Sequence, residues 1–138
     1  MVAQVADGTT FGRGDGASPE VFTTVAQVVA IGEVGTDRSL IDVTNLSSTL
    51  REYLVDIADG QEMQLELQAD LNDAQHTGLR SDVDAGVAKN YRVTFPTSPA
   101  VTATITGIPR NWTVTNVSQG QALGIRFLLK PTASIVWA

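Results

Sequence analysis

From residue 62 to residue 70 the side chains alternate without a break. Glu62, Gln64, Glu66, Gln68 and Asp70 fall on one side, and Met63, Leu65, Leu67 and Ala69 on the other. Successive side chains of a strand point to opposite faces, so the segment reads as a strand with one face on a core and the other on water or a partner. The same period returns later. Tyr91, Val93 and Phe95 alternate with Arg92 and Thr94, and Val101, Ala103 and Ile105 with Thr102, Thr104 and Thr106. Trp112 and Val114 alternate with Thr113 and Thr115, and Leu123, Ile125, Phe127 and Leu129 with Arg126 and Lys130. Threonine suits a pleated, half-exposed surface.

The period changes once. Ala74/Gln75, Leu79 and Val83 recur about every fourth residue, Asp73 opens the stretch and Gly86 closes it, which predicts a helix over 72–86 weakened by Gly78. Residues 22–34 (FTTVAQVVAIGEV) predict a strand with a bulge or two-sided burial. Residues 36–50 read as loop, with a short extended piece at 41–44. Strands at 51–58 and 61–70 are expected to form a hairpin about Asp59-Gly60. Residues 1–20 contain DGTTFGRGDGASPE, too polar and glycine-rich to bury much, and read as a flexible Gly-rich arm preceding a single domain at 21–138. The fold class is mainly β: a sandwich or barrel of two packed antiparallel sheets with one flanking helix. Trp137 is left to dock either on its own core or on a partner.

The bulk properties exclude several classes. With 138 residues the chain holds one real core. A net charge of −6, with nine scattered Lys and Arg, lacks the basic patch that grips nucleic acid. Only 17% of residues are charged, a surface weakly protected against self-association. There is no cysteine, hence no disulfide or thiolate metal site. MVAQVADGTT lacks the pattern of a signal peptide, no run approaches the ~18 apolar residues of a membrane span, and the chain is expected to be soluble when made.

No catalytic set emerges. His76 is the sole histidine and reads as an exposed helix residue. Glu62 and Glu66 share a strand face about 13 Å apart, too far for a glycosidase pair. Asp70, Asn72, Asp73, Asp82 and Asp84 miss the EF-hand spacing, and Asn72 and Asp73 are better explained as a helix cap. Arg13-Gly14-Asp15 is expected by chance in a Gly-rich segment, and the sequons at Asn45, Asn111 and Asn116 mean little without a secretory signal. Neither enzyme activity nor a cofactor or metal is expected. Arg51-Glu52-Tyr53 reads either as a strand start with a cross-strand ion pair or as a subunit-contact cluster.

In order, Ile41-Asp42-Val43-Thr44-x-Leu46 with Arg51-Glu52-Tyr53, the alternating strand after Asp59-Gly60 followed by the helix, and the 91–95 strand with a long final hairpin over 101–130 resemble the major tail tube proteins of long-tailed, non-contractile (siphovirus-type) bacteriophages. The resemblance covers roughly residues 20–130. It departs from the family in having Leu50 where an aromatic often stands, and in the ending KPTASIVWA. It implies a structural virion protein, made in the host cytoplasm and located in the tail. Its copies form hexameric rings that stack into a tube, with inner sheets joined into one barrel. The implied partners are the tape measure protein, the tail terminator and tail-tip proteins. DNA passes through the lumen without specific binding, and no membrane insertion is implied. Asp42, Thr44, Leu46, Arg51, Glu52 and Tyr53 are then candidates for contacts between subunits and rings. Glu62, Gln64, Glu66 and Gln68 are lumen-facing candidates, whose acids would repel phosphate.

Three other readings stay open: a ring-forming terminator, connector or secretion-tube relative, a monomeric β-sandwich binding module, and an enzyme. A ligand-binding sandwich would want an exposed aromatic platform, and aromatics are 6% and fall mostly at core positions.

Overall fold

A computed structural model describes residues 7–47 and 49–138, without the side chains of 56–59. The elements run β1 (Thr10–Gly14), β2 (Phe22–Thr24), β3 (Val28–Ile31), β4 (Thr36–Asp42), β5 (Tyr53–Gly60), β6 (Met63–Gln68), α1 (Ala74–Ala85), β7 (Lys89–Phe95), β8 (Val101–Thr115), β9 (Gly124–Pro131) and β10 (Val136–Trp137). The main sheet is antiparallel in the order β2-β1-β7-β8-β9-β6-β3, with β10 alongside β8, while β4 and β5 form a separate two-stranded ribbon. The mainly β fold with one flanking helix agrees with the periodicities.

The long strand β8 turns this one ladder into two layers. Its residues 101–107 pair with β7, and residues 107–115 pair with β9. Tyr91 sits opposite Ile105, and Phe127 opposite Trp112, positions that a flat sheet would hold about 20 Å apart along β8. Their rings are instead 5.8 Å apart, edge to face, so the sheet has closed face to face on itself. Pro109 is tolerated inside β8 because the register shifts there, and a bulge needs no ladder donor. The core between the layers contains Phe11, Met63, Leu65, Leu67, Leu79, Tyr91, Val93, Ile105, Ile125, Phe127 and Leu129.

The structure differs from the sequence reading in four places. The arm expected over 1–20 contains β1, which pairs with both β2 and β7. Phe11 is 0% exposed and stacks on Tyr91 at 5.5 Å. One phenylalanine in a continuous ladder orders a segment whose composition argues against order. Residues 1–6 of that arm lie outside the described residues. The single strand expected at 22–34 is two strands, one on each layer, divided where Gln27 takes a left-handed φ of 64°.

The Asp59-Gly60 hairpin does not form. β5 pairs with β4, and β6 pairs with β9 and β3. Gly60 answers a close approach instead, since a Cβ there would lie 2.5 Å from the Pro131 ring. With β5 drawn away, the loop expected at 36–50 becomes the seven-residue strand β4 and a connection from Val43 onward.

His76 is the fourth correction, being 1% exposed rather than a surface residue. Nδ1 accepts the Asp70 N–H (3.1 Å), which leaves Nε2 to donate to the Ala26 carbonyl (2.7 Å). The ring ties the start of α1 to the connection between β2 and β3. The helix itself follows its caps. Asp73 accepts from the backbone N–H groups of Gln75 and His76, and Gly86 closes the helix at a left-handed φ of 67°.

Candidate functional site

The six contact candidates converge on the outer end of the β4–β5 ribbon. Asp42 and Tyr53 are its last paired residues. Asp42 accepts from Thr44 N–H (2.9 Å) and from Arg51 (3.0 Å), Thr44 Oγ1 accepts from Glu52 N–H (2.8 Å), and the Val43 N–H donates to the Glu52 carbonyl (2.9 Å). The cross-strand ion pair expected at Arg51 is thus made with Asp42. Leu46 stands fully exposed beyond it, and Tyr53 is half-exposed. These bonds hold the tip in shape.

Hydrogen bonds from Thr44, its side chain first, and then from Arg51 hold the Asp42 carboxyl below the usual carboxylate range. A lowered folded-state value means stabilisation that is complete above the ordinary aspartate value near 3.9 and lost as pH falls through the lowered one. The tip is therefore expected to keep its form from pH 8 to 5 and to loosen only below about 4. Hydrogen exchange of the Thr44 amide checks this, and loosening already at pH 6 would refute it.

Sequence reasoning missed the apolar residues that flank the tip. Leu40, Ile41, Val43, Leu50, Leu54 and Val55 are all substantially exposed, and every residue of β4 is exposed. The signal was present as apolar neighbours in sequence, Leu40-Ile41 and Leu54-Val55, which occupy both faces of a strand at once.

The four lumen candidates share the outer face of β6. Glu62, Gln64, Glu66 and Gln68 are exposed, while Met63, Leu65 and Leu67 are buried, as the alternation requires. The face is not an acidic stripe. Arg110 pairs with Glu62, the register sets Arg126 opposite Glu66, and Lys130 lies on the same side of β9 and donates to the Gly60 carbonyl (2.7 Å). Two acids face three cations in a chain whose net charge is −6, so this surface is electrically balanced.

Arg13 of the RGD triplet is committed elsewhere. Its guanidinium is bidentate to Asp82 (2.8 and 2.9 Å), and Tyr91 Oη donates to the same carboxylate (2.8 Å). Asp82 is 3% exposed. Burial, then the hydrogen bond to Asp82, raises the Tyr91 phenol well above its ordinary range, while the Asp82 bond raises Arg13, so both keep their protons. Asp15 accepts from the Ala17 and Val21 N–H groups. Gly78 lies where a Cβ would meet the Arg13 guanidinium at 2.8 Å, which accounts for a glycine inside the helix. Among the described residues no group of three His, Cys, Asp or Glu could hold a metal ion.

No known sequence family matches the chain, and no curated protein does. Solved structures match over its whole length. A chain of the virion of a native gene transfer agent particle superposes with a TM-score of 0.78 at 13% identity, covering 99% of both chains. A chain of the tail of an empty gene transfer agent particle, refined with C6 symmetry, gives 0.76 at 15% identity and the same coverage. The SPP1 tail tube gives 0.72 at 8% identity over 94% of this chain and 74% of that one. At these identities the fold is what is shared.

Proposed function

We propose that this chain is a tail tube subunit: copies close into hexameric rings, and the rings stack into the conduit of a phage-like tail. The observation that carries the assembly reading is the β4–β5 ribbon, a separate two-stranded sheet whose large apolar side chains Leu40, Ile41, Leu54 and Val55 stand open to solvent. A lone two-stranded ribbon is marginal in water and wants cover. The full-length likeness to tail and tail tube chains supports the form of the assembly, as does the resemblance of residues 41–53 to the non-contractile tube proteins.

The topology supports lateral closure. Residues 108–115 of β8, with β9, β6 and β3, make a four-stranded antiparallel sheet. Among the described residues, β3 has no strand partner on its outer side, and neither has the 108–115 stretch away from β9. An even number of strands puts β3 of one copy antiparallel to β8 of the next. Repetition then closes a barrel without edges, which limits association to a defined product. The outer face of this sheet, carrying Gln64, Glu66, Gln68, Thr113 and Arg126, would line the lumen. Its balanced charge would offer DNA neither a grip nor a strong barrier. Tape measure, terminator and tail-tip proteins are the further partners of such a tube, and the chain acts as a structural component of the virion tail, not as an enzyme.

Negative-stain electron microscopy of the concentrated protein tests this, with long hollow tubes expected. Single rings alone would favour a terminator or connector, and monomers that persist even with tail-tip components would reject the reading. Replacing residues 43–52 with an Asn-Gly turn, which joins the paired Asp42 and Tyr53 directly, should leave a folded protein that makes no tubes. Normal tubes from that variant would show that the tip carries no contact between rings.

A further inference from the structure

β8 opens with a segment suited to pairing with copies of itself. Residues 101–106 read VTATIT, without charge, glycine or proline and with a β-branched side chain at every position except Ala103. Such a segment stacks as cross-β when its backbone edge is open. In the folded chain Ala103 and Ile105 are buried, and one edge is taken by β7, with Thr102 opposite Thr94 and Thr104 opposite Arg92. The other edge is covered by β10. Val136 lies opposite Thr104, and Trp137 opposite Ala103. The Ala138 N–H donates to the Thr102 carbonyl, and the Thr102 N–H donates to the Ala138 carbonyl, both at 2.9 Å. The Trp137 ring stacks on Phe95 at 6.0 Å, and Ile135 packs against the core.

This cover adds little to the core. Val136 and Trp137 remain 61% and 52% exposed. What β10 does supply is partners for the N–H and C=O groups of 102–104, which would otherwise face outward as a template for another strand. The layer it belongs to runs β2-β1-β7-β8-β10 and ends on both sides in the two shortest strands described, three residues in β2 and two in β10. Very short edge strands are poor templates. We propose that residues 135–138 are a guard, a strap that occupies the edge of 101–106 and denies it to the same segment of another copy. Its effect is on solubility and on the mode of association, with little effect on the stability of the fold. The proposal goes beyond the tube reading and does not depend on it. In a chain that does build tubes, the strap steers pairing towards β3 and the 108–115 stretch, the open edges of the other layer.

The test releases the strap. Trp137→Gly removes the ring stack, and Ala138→Pro removes the N–H that holds the Thr102 carbonyl. The double variant should keep the wild-type circular dichroism and lose protection of the residue 102 amide from hydrogen exchange. At equal concentration it should bind more thioflavin T than the wild type and sediment as irregular aggregates. Adding Thr102→Lys sets a charge on the opened edge, on the face away from the core, where lysine blocks strand stacking. That triple variant should return to the solubility and thioflavin signal of the wild type while the strap stays released. A double variant as soluble as the wild type would show that the strap guards nothing. Aggregation that Thr102→Lys does not suppress would show that the fold itself had failed, and the proposal would be wrong on that outcome too. Neither result touches the tube reading, which electron microscopy of the wild type decides.

Discussion

Replacing Phe11 with alanine is expected to destabilise the chain by about 3–5 kcal/mol, measured as a shift in the urea midpoint at constant slope. The ring is wholly buried between the layers, stacked on Tyr91, on a strand that itself lies between β2 and β7. Removing it loses the transfer free energy of the ring and leaves a cavity that the paired strands cannot collapse to fill. A domain of this size has about 5–15 kcal/mol in total, so the variant sits near the edge of folding. The same change separates two pictures of the N-terminal region. If residues 10–14 were an arm, the substitution would leave stability within about 0.5 kcal/mol of the wild type.

Asp82→Ala is expected to destabilise by about 3 kcal/mol, the lower end for breaking a buried ion pair, because Arg13 keeps part of its surface in water. The change leaves Arg13 and the Tyr91 hydroxyl without the carboxylate that both hold in the folded chain. A double-mutant cycle with Arg13→Ala isolates the coupling. The double variant should be much less destabilised than the sum of the two single changes, because removing Arg13 takes away the charge that Asp82→Ala strands. Strict additivity would show that the carboxylate acts through Tyr91 alone.

Both predictions turn on residues whose roles the sequence disguised. Arg13 and Asp15 fall in a glycine-rich run, and Asp82 is one of several scattered acids, 69 positions along the chain from Arg13. No local pattern links positions so far apart. Gly78 reads as a flaw in the helix pattern, but it gives room to the Arg13 guanidinium beside it. A lone histidine on a helix reads as a surface residue, yet His76 is buried. Its burial depends on the Ala26 carbonyl, which arrives from another part of the chain.

The sequence by itself determined which residues face inward on β6, β7 and β9, where α1 starts and stops, and that the chain is mainly β, a sandwich or barrel with one helix. These follow from the two-residue period of a strand and from caps that act within a few residues. Only the tertiary structure decided which strand pairs with which. The Asp59-Gly60 dipeptide favours a local turn, but pairing is won by the register that sets β6 beside β9 and buries Met63, Leu65 and Leu67 in the common core, and this sends β5 to β4. The exposed apolar ribbon, the balanced charge of the polar face and the buried place of Phe11 are consequences of that pairing. Partner choice depends on the free energy of the whole packed core, a quantity summed over residues far apart in the chain.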